Sequence, residues 1–213
     1  MEVVMNIVIM GVQGSGKGTQ AKKLAELKGW KHINIGQLFR AEMTEGTATG
    51  KEAKQYITSG ELVPDDITFQ IFAHAAPSGA NELILDGFPR SVAQSKYLLE
   101  HYQIDLVIVL DLSVEDAVKR ISARRNCSNC GRDYNILYKK PQKEGVCDVC
   151  GGELVTREDD KPKEVQRRID IYMTQAKKLL DFFEGKVKIM SIDASQGIDE
   201  IYNELVKDVD SLQ

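Results

Sequence analysis

The chain has 213 residues, of which 42% are hydrophobic and 28% charged, with a formal net charge of −4. These values are typical of a soluble globular protein with one main domain and insertions. The acidic balance argues against nucleic-acid binding, and no apolar run approaches the ~20 residues of a membrane span. The apolar first ten residues lack a basic start and a small-residue cleavage site. They therefore indicate a buried strand and not a signal peptide, which predicts a cytoplasmic protein.

Short apolar runs bounded by turn or polar residues predict buried strands. Four are clear, at 7–10, 83–85, 106–110 and 187–192, and a weaker one lies at 32–35. Helical patterns separate them: one covers 18–27, one follows Ser113 with its capping-box partner Asp116, and one starts near Pro162. This alternation predicts a three-layer α/β fold with a parallel central sheet covered by helices on both faces.

Two polar stretches interrupt the alternation. Residues 37–65 are helical in places and contain several glycines, and residues 126–160 hold all four cysteines. Both are predicted to be insertions on the core. Because ligands bind outside the carboxyl ends of parallel strands, we expect the insertions to cover a site there.

The segment GVQGSGKGT at 11–19 follows a predicted strand and opens a helix. This context is typical of a phosphate-binding loop, in which backbone N–H groups and a helix N-terminus face the phosphates. Lys17 is predicted to reach the β- and γ-phosphates. The general motif has Ser or Thr directly after the lysine to help hold Mg²⁺, whereas this chain has Gly18 and then Thr19. The alternative is a glycine-rich turn that binds no ligand.

An acid and several arginines are candidates for the rest of the site. Asp86 follows the strand at 83–85 and is predicted to organise Mg²⁺, with Arg90 at the mouth of the site. Phosphoryl transfer between two nucleotides needs several fixed cations, although a single arginine is by default a solvated surface residue. The further candidates are Arg40, Arg120, Arg124, Arg157 and Arg168.

The cysteines form two C-x₂-C pairs separated by sixteen residues, Cys127 with Cys130 and Cys147 with Cys150. That spacing predicts a closed tetrahedral site for a structural Zn²⁺, which would supply the folding energy that a short polar insertion lacks. Two disulfides or four free thiols are the alternatives. His32, His74 and His101 share no metal-like spacing, and we predict that they are surface or core histidines without a role at a site.

Several motifs together resemble adenylate kinase with a zinc-containing lid, a member of the nucleoside monophosphate kinase family. They are GKGTQ at 16–20, GELVPD at 60–65, DGFPR at 86–90, Gln94, RRNCSNCGRDYN at 124–135, REDD at 157–160 and Arg168. The resemblance covers nearly the whole chain. It implies reversible phosphoryl transfer from Mg·ATP to AMP, giving two ADP.

The resemblance also implies roles for individual residues. The ATP site would comprise Gly14, Ser15, Gly16, Lys17, Gly18, Thr19, Arg120, Arg124 and Gln196. The AMP site would comprise Ile35, Arg40, Glu61, Leu62, Val63, Gly87, Phe88, Pro89, Arg90, Gln94, Arg157 and Arg168. The residues acting on the transferred group would be Lys17, Asp86, Arg90, Arg124, Arg157 and Arg168. Asp159 and Asp160 would contact arginine or the lid hinge.

The implied organisation is a core of 1–33, 64–125 and 161–213, a monophosphate-binding insertion at 34–63 and a lid at 126–160. Three residues depart from the family pattern: Gln13 replaces a common Pro, Ile35 replaces a Thr that helps bind the AMP base, and Gln37 replaces a common Asp. Ile35 motivates a rival hypothesis, a kinase for UMP, CMP or GMP. A second rival is a zinc-ribbon ATPase switch. We expect a monomer with no nucleic-acid or membrane partner.

Overall fold

Short strands and helices alternate along residues 4–212, the part of the chain that the computed structural model describes. The strands are β1 (Ile7–Gly11), β2 (Lys31–Asn34), β3 (Leu83–Asp86), β4 (Leu106–Asp111), β5 (Arg124–Cys127), β6 (Asp133–Asn135), β7 (Leu154–Val155) and β8 (Lys188–Asp193). The helices are α1 (Lys17–Lys28), α2 (Ile35–Glu45), α3 (Ala48–Thr58), α4 (Asp65–Ala75), α5 (Val92–His101), α6 (Val114–Ser122), α7 (Pro162–Phe183) and α8 (Ile198–Asp210). Residues 1–3 and 213, which the predicted core includes, lie outside the described range.

A parallel sheet with the strand order β2-β3-β1-β4-β8 forms the centre of the protein. Each of the predicted apolar runs, including the weaker one, contributes one of its strands, so the predicted fold class is confirmed. The chain passes from β1 to β2 on one side and later to β4 on the other. Beside β1 the strand order reverses, and the carboxyl ends of the neighbouring strands open a crevice there.

Helices cover both faces of the sheet. Successive residues of β1 point to opposite faces, as strand geometry requires: Ile7 and Ile9 pack in one hydrophobic cluster, with α1, α6 and α8, while Val8 and Met10 pack in the other, with α4 and α5. The helix α7 contributes to both clusters. The sheet is therefore a rigid support for the loops that leave its carboxyl edge.

The predicted helix starts are present. The Ser113 hydroxyl accepts a hydrogen bond from the backbone N–H of Asp116 at 3.1 Å and donates to its carboxylate at 2.8 Å, as expected at the start of a helix. The helix α7 begins at Pro162, where the absence of a backbone N–H costs nothing. No helix in the described part of the chain is both long and apolar enough to cross a membrane.

The two polar stretches differ in structure. The first contains α2 and α3, while β5, β6 and β7 form a small antiparallel sheet in the second, in the order β6-β5-β7. The apolar cluster of this small sheet consists only of Cys127, Tyr134 and Cys147, with Leu154 packed against it. So small a core cannot stabilise the segment by burial alone.

Candidate active site

The phosphate loop connects β1 to α1. Gly14 and Gly16 adopt φ values of 87° and 94°, a region that favours glycine. A Cβ atom at Gly14 would lie 2.8 Å from the carbonyl oxygen of Ala117, so the loop also packs closely on α6. The backbone therefore folds into a compact turn at the N-terminus of α1, where the partial charge of the helix favours an anion.

Lys17 lies at the first turn of α1 and folds back over this loop. Its Nζ donates hydrogen bonds to the carbonyl oxygens of Gly11 at 2.7 Å and Val12 at 2.9 Å. Burial lowers the pKa of Lys17 to about 8, and the charge of Asp86 opposes that shift only in part. A phosphate oxygen could replace these carbonyls as partner of the ammonium group and would favour its charged form.

Asp86 ends β3 beside the phosphate loop and has a 3% exposed surface. Burial by itself would raise the pKa of Asp86, but hydrogen bonds from His32 and Asn34 and the charge of Lys17 outweigh it and hold the pKa below its ordinary value. The carboxylate is thus ionised beside the phosphate loop. A Cβ atom at Gly18 would lie 3.2 Å from Asp86 Oδ2, which explains why glycine suits a position where the general motif has Ser or Thr.

Arg124 from β5 and Arg168 from α7 are held by a shared carboxylate. Arg124 Nε donates to Asp160 Oδ2 at 2.8 Å, and Arg168 Nη2 donates to Asp160 Oδ1 at 2.9 Å. The Asp160 side chain is fully buried. Arg168 also pairs with Asp159 at 2.5 Å. The expected contacts of these two acids with arginine are confirmed, and they fix two guanidinium groups side by side.

Two further arginines are held by a carboxylate and by a backbone carbonyl. Arg157 pairs with Asp133 at 2.6 Å, and Arg90 Nε donates to the carbonyl oxygen of Gly87 at 2.7 Å. Burial lowers the pKa of Arg40 to about 10, and the nearby charge of Arg157 adds to the effect. The charges of Asp159 and Asp133 offset this repulsion in part, and a bound phosphate would offset more of it.

One cavity of about 410 Å³ is shared by these groups. Eight of its lining side chains are Lys or Arg and four are Asp or Glu, so positive charge is in excess. All nine residues predicted for ATP line it, together with Asp86. So do ten of the residues predicted for AMP, namely Ile35, Arg40, Glu61, Leu62, Val63, Gly87, Arg90, Gln94, Arg157 and Arg168.

Two of the predicted AMP residues do not line this cavity. The Phe88 side chain is 1% exposed and stacks on Phe72, with the ring centroids 4.2 Å apart, so it belongs to the hydrophobic core. Pro89 lines a smaller, adjacent cavity. The prediction was drawn from a continuous motif, but in a bend that follows a strand, successive side chains point in different directions.

Sequence reasoning missed His32 and Tyr138. The sequence predicted only a surface or core position for His32 and gave no sign that its Nε2 lies 3.4 Å from Asp86 Oδ2. Its position on β2, next to β3, brings it there, and no spacing along the chain indicates that contact. Tyr138 lines the large cavity, and Arg120 Cζ lies 5.3 Å from its ring centroid. The available signal was the presence of two tyrosines, Tyr134 and Tyr138, in an otherwise polar insertion.

The four cysteine sulfurs form a second, separate site. All lie within 4.8 Å of one another, with Cys127 Sγ 3.4 Å from Cys150 Sγ and Cys130 Sγ 3.6 Å from Cys147 Sγ. A disulfide would require about 2.05 Å, whereas tetrahedral Zn²⁺ with bonds of about 2.3 Å requires sulfurs about 3.8 Å apart. The observed spacing fits a metal and argues against the disulfide alternative.

Tyr134 forms a hydrogen bond with one cysteine of this cluster. Its hydroxyl accepts from the N–H of Asp148 at 2.8 Å and lies 3.4 Å from Cys147 Sγ, to which it donates. This hydrogen bond lowers the pKa of Cys147 to about 6. The thiolate is the form that binds metal, so the tyrosine favours the ligand state.

The titration of Lys17 gives a testable pH dependence. With a pKa of about 8 in the free protein, Lys17 loses its charge as the pH rises through that value. We therefore expect kcat/KM for ATP to fall above about pH 8, roughly tenfold per pH unit, because kcat/KM reports the free enzyme. In Lys17→Arg, whose guanidinium stays charged, any residual activity should lack this limb. A wild-type profile that is flat to pH 9.5 would contradict the assignment.

Comparison with known proteins agrees with this geometry. The model of the adenylate kinase family matches residues 9–188. The chain is similar to the adenylate kinase of Bacillus licheniformis, with 44% identity over 94% of this chain and 96% of the relative. It is also similar to those of Thermodesulfovibrio yellowstonii, with 41% identity over 94% and 97%, and of a Geobacillus species, with 39% over 98% and 100%.

Proposed function

Because the chain belongs to the adenylate kinase family, we propose that it transfers the γ-phosphate of Mg·ATP reversibly to AMP, giving two ADP. One observation carries this proposal: a single cavity contains both the phosphate loop and arginines from α2, α7, the lid and the turn after β3. A phosphate loop alone would serve any nucleotide-binding protein. The arginines opposite it provide the second phosphate site that a two-nucleotide reaction requires.

In the donor half, the ATP phosphates would lie against the backbone of residues 14–19. The adenine would stack against the guanidinium of Arg120 near Gln196, in a part of the cavity wall where Arg120 also contacts the ring of Tyr138. Both groups stack well on aromatic bases. The lid hairpin is held in position by the side-chain amide of Asn135, which donates to the carbonyl oxygen of Arg120 at 2.9 Å.

In the acceptor half, Gln94 is the group best placed to select a base. Its Oε1 accepts from the N–H of Arg90 at 2.7 Å, and its Nε2 donates to Asp65 at 2.7 Å. These contacts fix the orientation of the carboxamide and leave one N–H for a ligand. Adenine offers an acceptor at N1, whereas guanine has a donor there. The side chain of Ile35 is buried and supplies no polar group, so selectivity rests on Gln94.

The transfer needs positioning and positive charge more than a base. When bound with ATP, Mg²⁺ neutralises charge on the β- and γ-phosphates, and the ionised Asp86 and the hydroxyl of Thr19 are suited to hold it. Lys17, Arg124 and Arg168 would stabilise the charge on the transferred group. No side chain has to remove a proton, because the attacking phosphate oxygen of AMP is already anionic.

The two insertions would exclude water from this reaction. We propose that residues 34–63 and 126–160 move as separate units and close over the core of 1–33, 64–125 and 161–213. Arg124 of the core pairs with Asp160 of the lid, so this ion pair crosses a boundary between the two units, whereas Arg157 and Asp133 pair within the lid. Closure would prevent hydrolysis of ATP by water.

Structural Zn²⁺ bound by Cys127, Cys130, Cys147 and Cys150 would stabilise the lid. The spacing of the sulfurs and the support from Tyr134 favour this ion, and four thiolates leave no open position for catalysis. We also propose that the enzyme acts as a cytoplasmic monomer without nucleic-acid or membrane partners. A site complete within one chain and a net charge of −4 support this.

Turnover with each monophosphate tests the proposed function. With Mg·ATP as donor, we expect AMP to give the highest kcat/KM, exceeding GMP, UMP and CMP by at least about tenfold. ADP formed per ATP consumed distinguishes the rivals. Two ADP per ATP in the presence of AMP supports the proposal, ATP consumption independent of any acceptor favours the ATPase switch, and a preference for another monophosphate overturns the assignment to AMP.

A further inference from the structure

A closed network of hydrogen bonds joins the start of α4 to the start of α5. The Asp65 carboxylate accepts from Gln94 Nε2 at 2.7 Å, and the Ser91 hydroxyl, a second donor to this carboxylate, lies 3.1 Å from each of its oxygens. The same hydroxyl accepts from the backbone N–H of Gln94 at 3.1 Å and so caps α5. Asp65 therefore contacts both the side chain of Gln94 and the residue that caps its helix.

The two partners of the Asp65–Gln94 hydrogen bond differ in their relation to the large cavity. Gln94 lines that cavity, whereas Asp65 does not. Any effect of Asp65 on a bound nucleotide is therefore exerted through Gln94. Because Gln94 is only 2% exposed, its carboxamide is oriented by its protein partners more than by solvent.

Both protein partners of the carboxamide favour the same orientation. The N–H of Arg90 donates to Gln94 Oε1 at 2.7 Å, while Asp65 accepts from Nε2. An ionised carboxylate only accepts hydrogen bonds, so turning the carboxamide over would place two oxygens together at Asp65 and two N–H donors together at Arg90. A hydrogen bond to a charged group is about twice as strong as a neutral one, so Asp65 is the stronger of the two constraints.

A carboxamide in a fixed orientation distinguishes bases by their polar edge. One N–H of Gln94 and one lone pair of its Oε1 have no partner among residues 4–212. Adenine offers an acceptor at N1 beside an amino donor at C6, which complements these two groups. Hypoxanthine has nearly the same shape but offers a donor at N1 beside a carbonyl acceptor at C6, so both contacts would be repulsive.

We propose that Asp65 is a specificity-determining positioning residue, which holds Gln94 in the orientation that accepts AMP and rejects a 6-keto purine monophosphate such as IMP. The role rests on the proposed transfer to AMP. It requires the carboxylate of Asp65 to act on a neighbouring side chain, whereas a purely structural role would require only a negative charge at the start of α4.

The preference for AMP over IMP in matched variants tests this role. We expect the wild type to prefer AMP by at least about 100-fold in kcat/KM, because IMP would oppose two buried polar groups. Asp65→Asn keeps the shape of the side chain but can present either an oxygen or an amino group to Gln94. We expect it to lower the preference about tenfold, mainly through a higher KM for AMP, with less than about a twofold change in the KM for ATP.

Two controls separate a role through Gln94 from a general effect on the helix. Asp66→Ala removes an exposed acid from the same first turn of α4 and should leave the preference unchanged. In the Gln94→Ala background, Asp65→Asn should have no further effect on the preference, because its route to the base is already lost. An unchanged preference in Asp65→Asn, or an equal loss with and without Gln94, would overturn the proposal.

The side-chain amide of Gln94 provides a readout that does not depend on transfer. In NMR spectra of the wild type without nucleotides, one Nε2 proton should be shifted downfield and protected from exchange with solvent. Both signatures should be lost in Asp65→Ala and retained in Asp66→Ala. A freely exchanging Gln94 amide in a wild type that uses AMP refutes the role of Asp65. A protected amide in a wild type that does not use AMP instead overturns the proposed transfer, and the specificity role falls with it.

Discussion

Replacing Lys17 with alanine is expected to lower kcat for phosphoryl transfer by at least about 10²–10³-fold, because a fixed charge facing the transferred group is removed from a largely desolvated site. The ammonium group lies at the phosphate loop, where its partners are the carbonyls of Gly11 and Val12. No other lysine or arginine of the cavity is anchored in that loop. Neighbouring arginines cannot compensate, because carboxylates and carbonyls hold them in place.

The fold should survive this change. Burial lowers the pKa of Lys17 to about 8, so the folded state binds this proton less tightly than the unfolded state does, and the charged lysine opposes folding below that pH. We therefore expect the melting temperature at pH 7 to be unchanged or slightly higher. The matched control is Lys22→Ala, five residues along the same helix, where the side chain is 62% exposed and pairs with Glu26. If Lys17→Ala retains near wild-type turnover, the phosphate loop does not bind the donor.

Local signals were sufficient to predict the sheet and the phosphate loop. Each central strand is a short apolar run, and a strand that is buried on both faces needs little more than that composition. The glycines of the loop and its position between strand and helix are likewise contiguous in sequence. By contrast, α4, α5 and α8 were not predicted. The buried face of α5 consists of Gln94, Ser95 and Leu98, so that helix lacks the apolar period by which a helix is recognised.

Contacts that depend on strand pairing could not be predicted in the same way. Asn34 lies opposite Asp86 only because β2 pairs with β3 in one register, and this pairing also brings His32 to the carboxylate. The resemblance to a family selected the arginines, but only the structure reveals that Asp160 holds Arg124 and Arg168 together. A motif specifies which residue types are present, whereas the packing of distant segments determines which atoms they meet.

Replacing Cys130 with serine is expected to remove the bound metal and destabilise the protein. Serine is a poor ligand for Zn²⁺, and the three remaining thiolates do not close a tetrahedral site. A loss of about 3 kcal/mol would lower the melting temperature by roughly 6–12 °C in a chain of this size. Transfer at low temperature should be reduced less than in Lys17→Ala, since the sulfur cluster is separate from the phosphate-binding cavity. Metal analysis and thermal unfolding measure both effects. The control is Ser128→Ala, which lies between Cys127 and Cys130.

Chelation separates the loss of metal from the loss of the thiol itself. If the metal accounts for the stability difference, the wild type stripped of metal should melt at the same temperature as Cys130→Ser. Adding Zn²⁺ should then raise the melting temperature of the wild type but not that of the variant. An unchanged melting temperature in a variant that retains one Zn²⁺ per chain would contradict a structural metal held by four cysteines. A variant that loses the metal yet melts like the wild type would mean that the cluster of Cys127, Tyr134 and Cys147 stabilises the lid unaided, which its small size argues against.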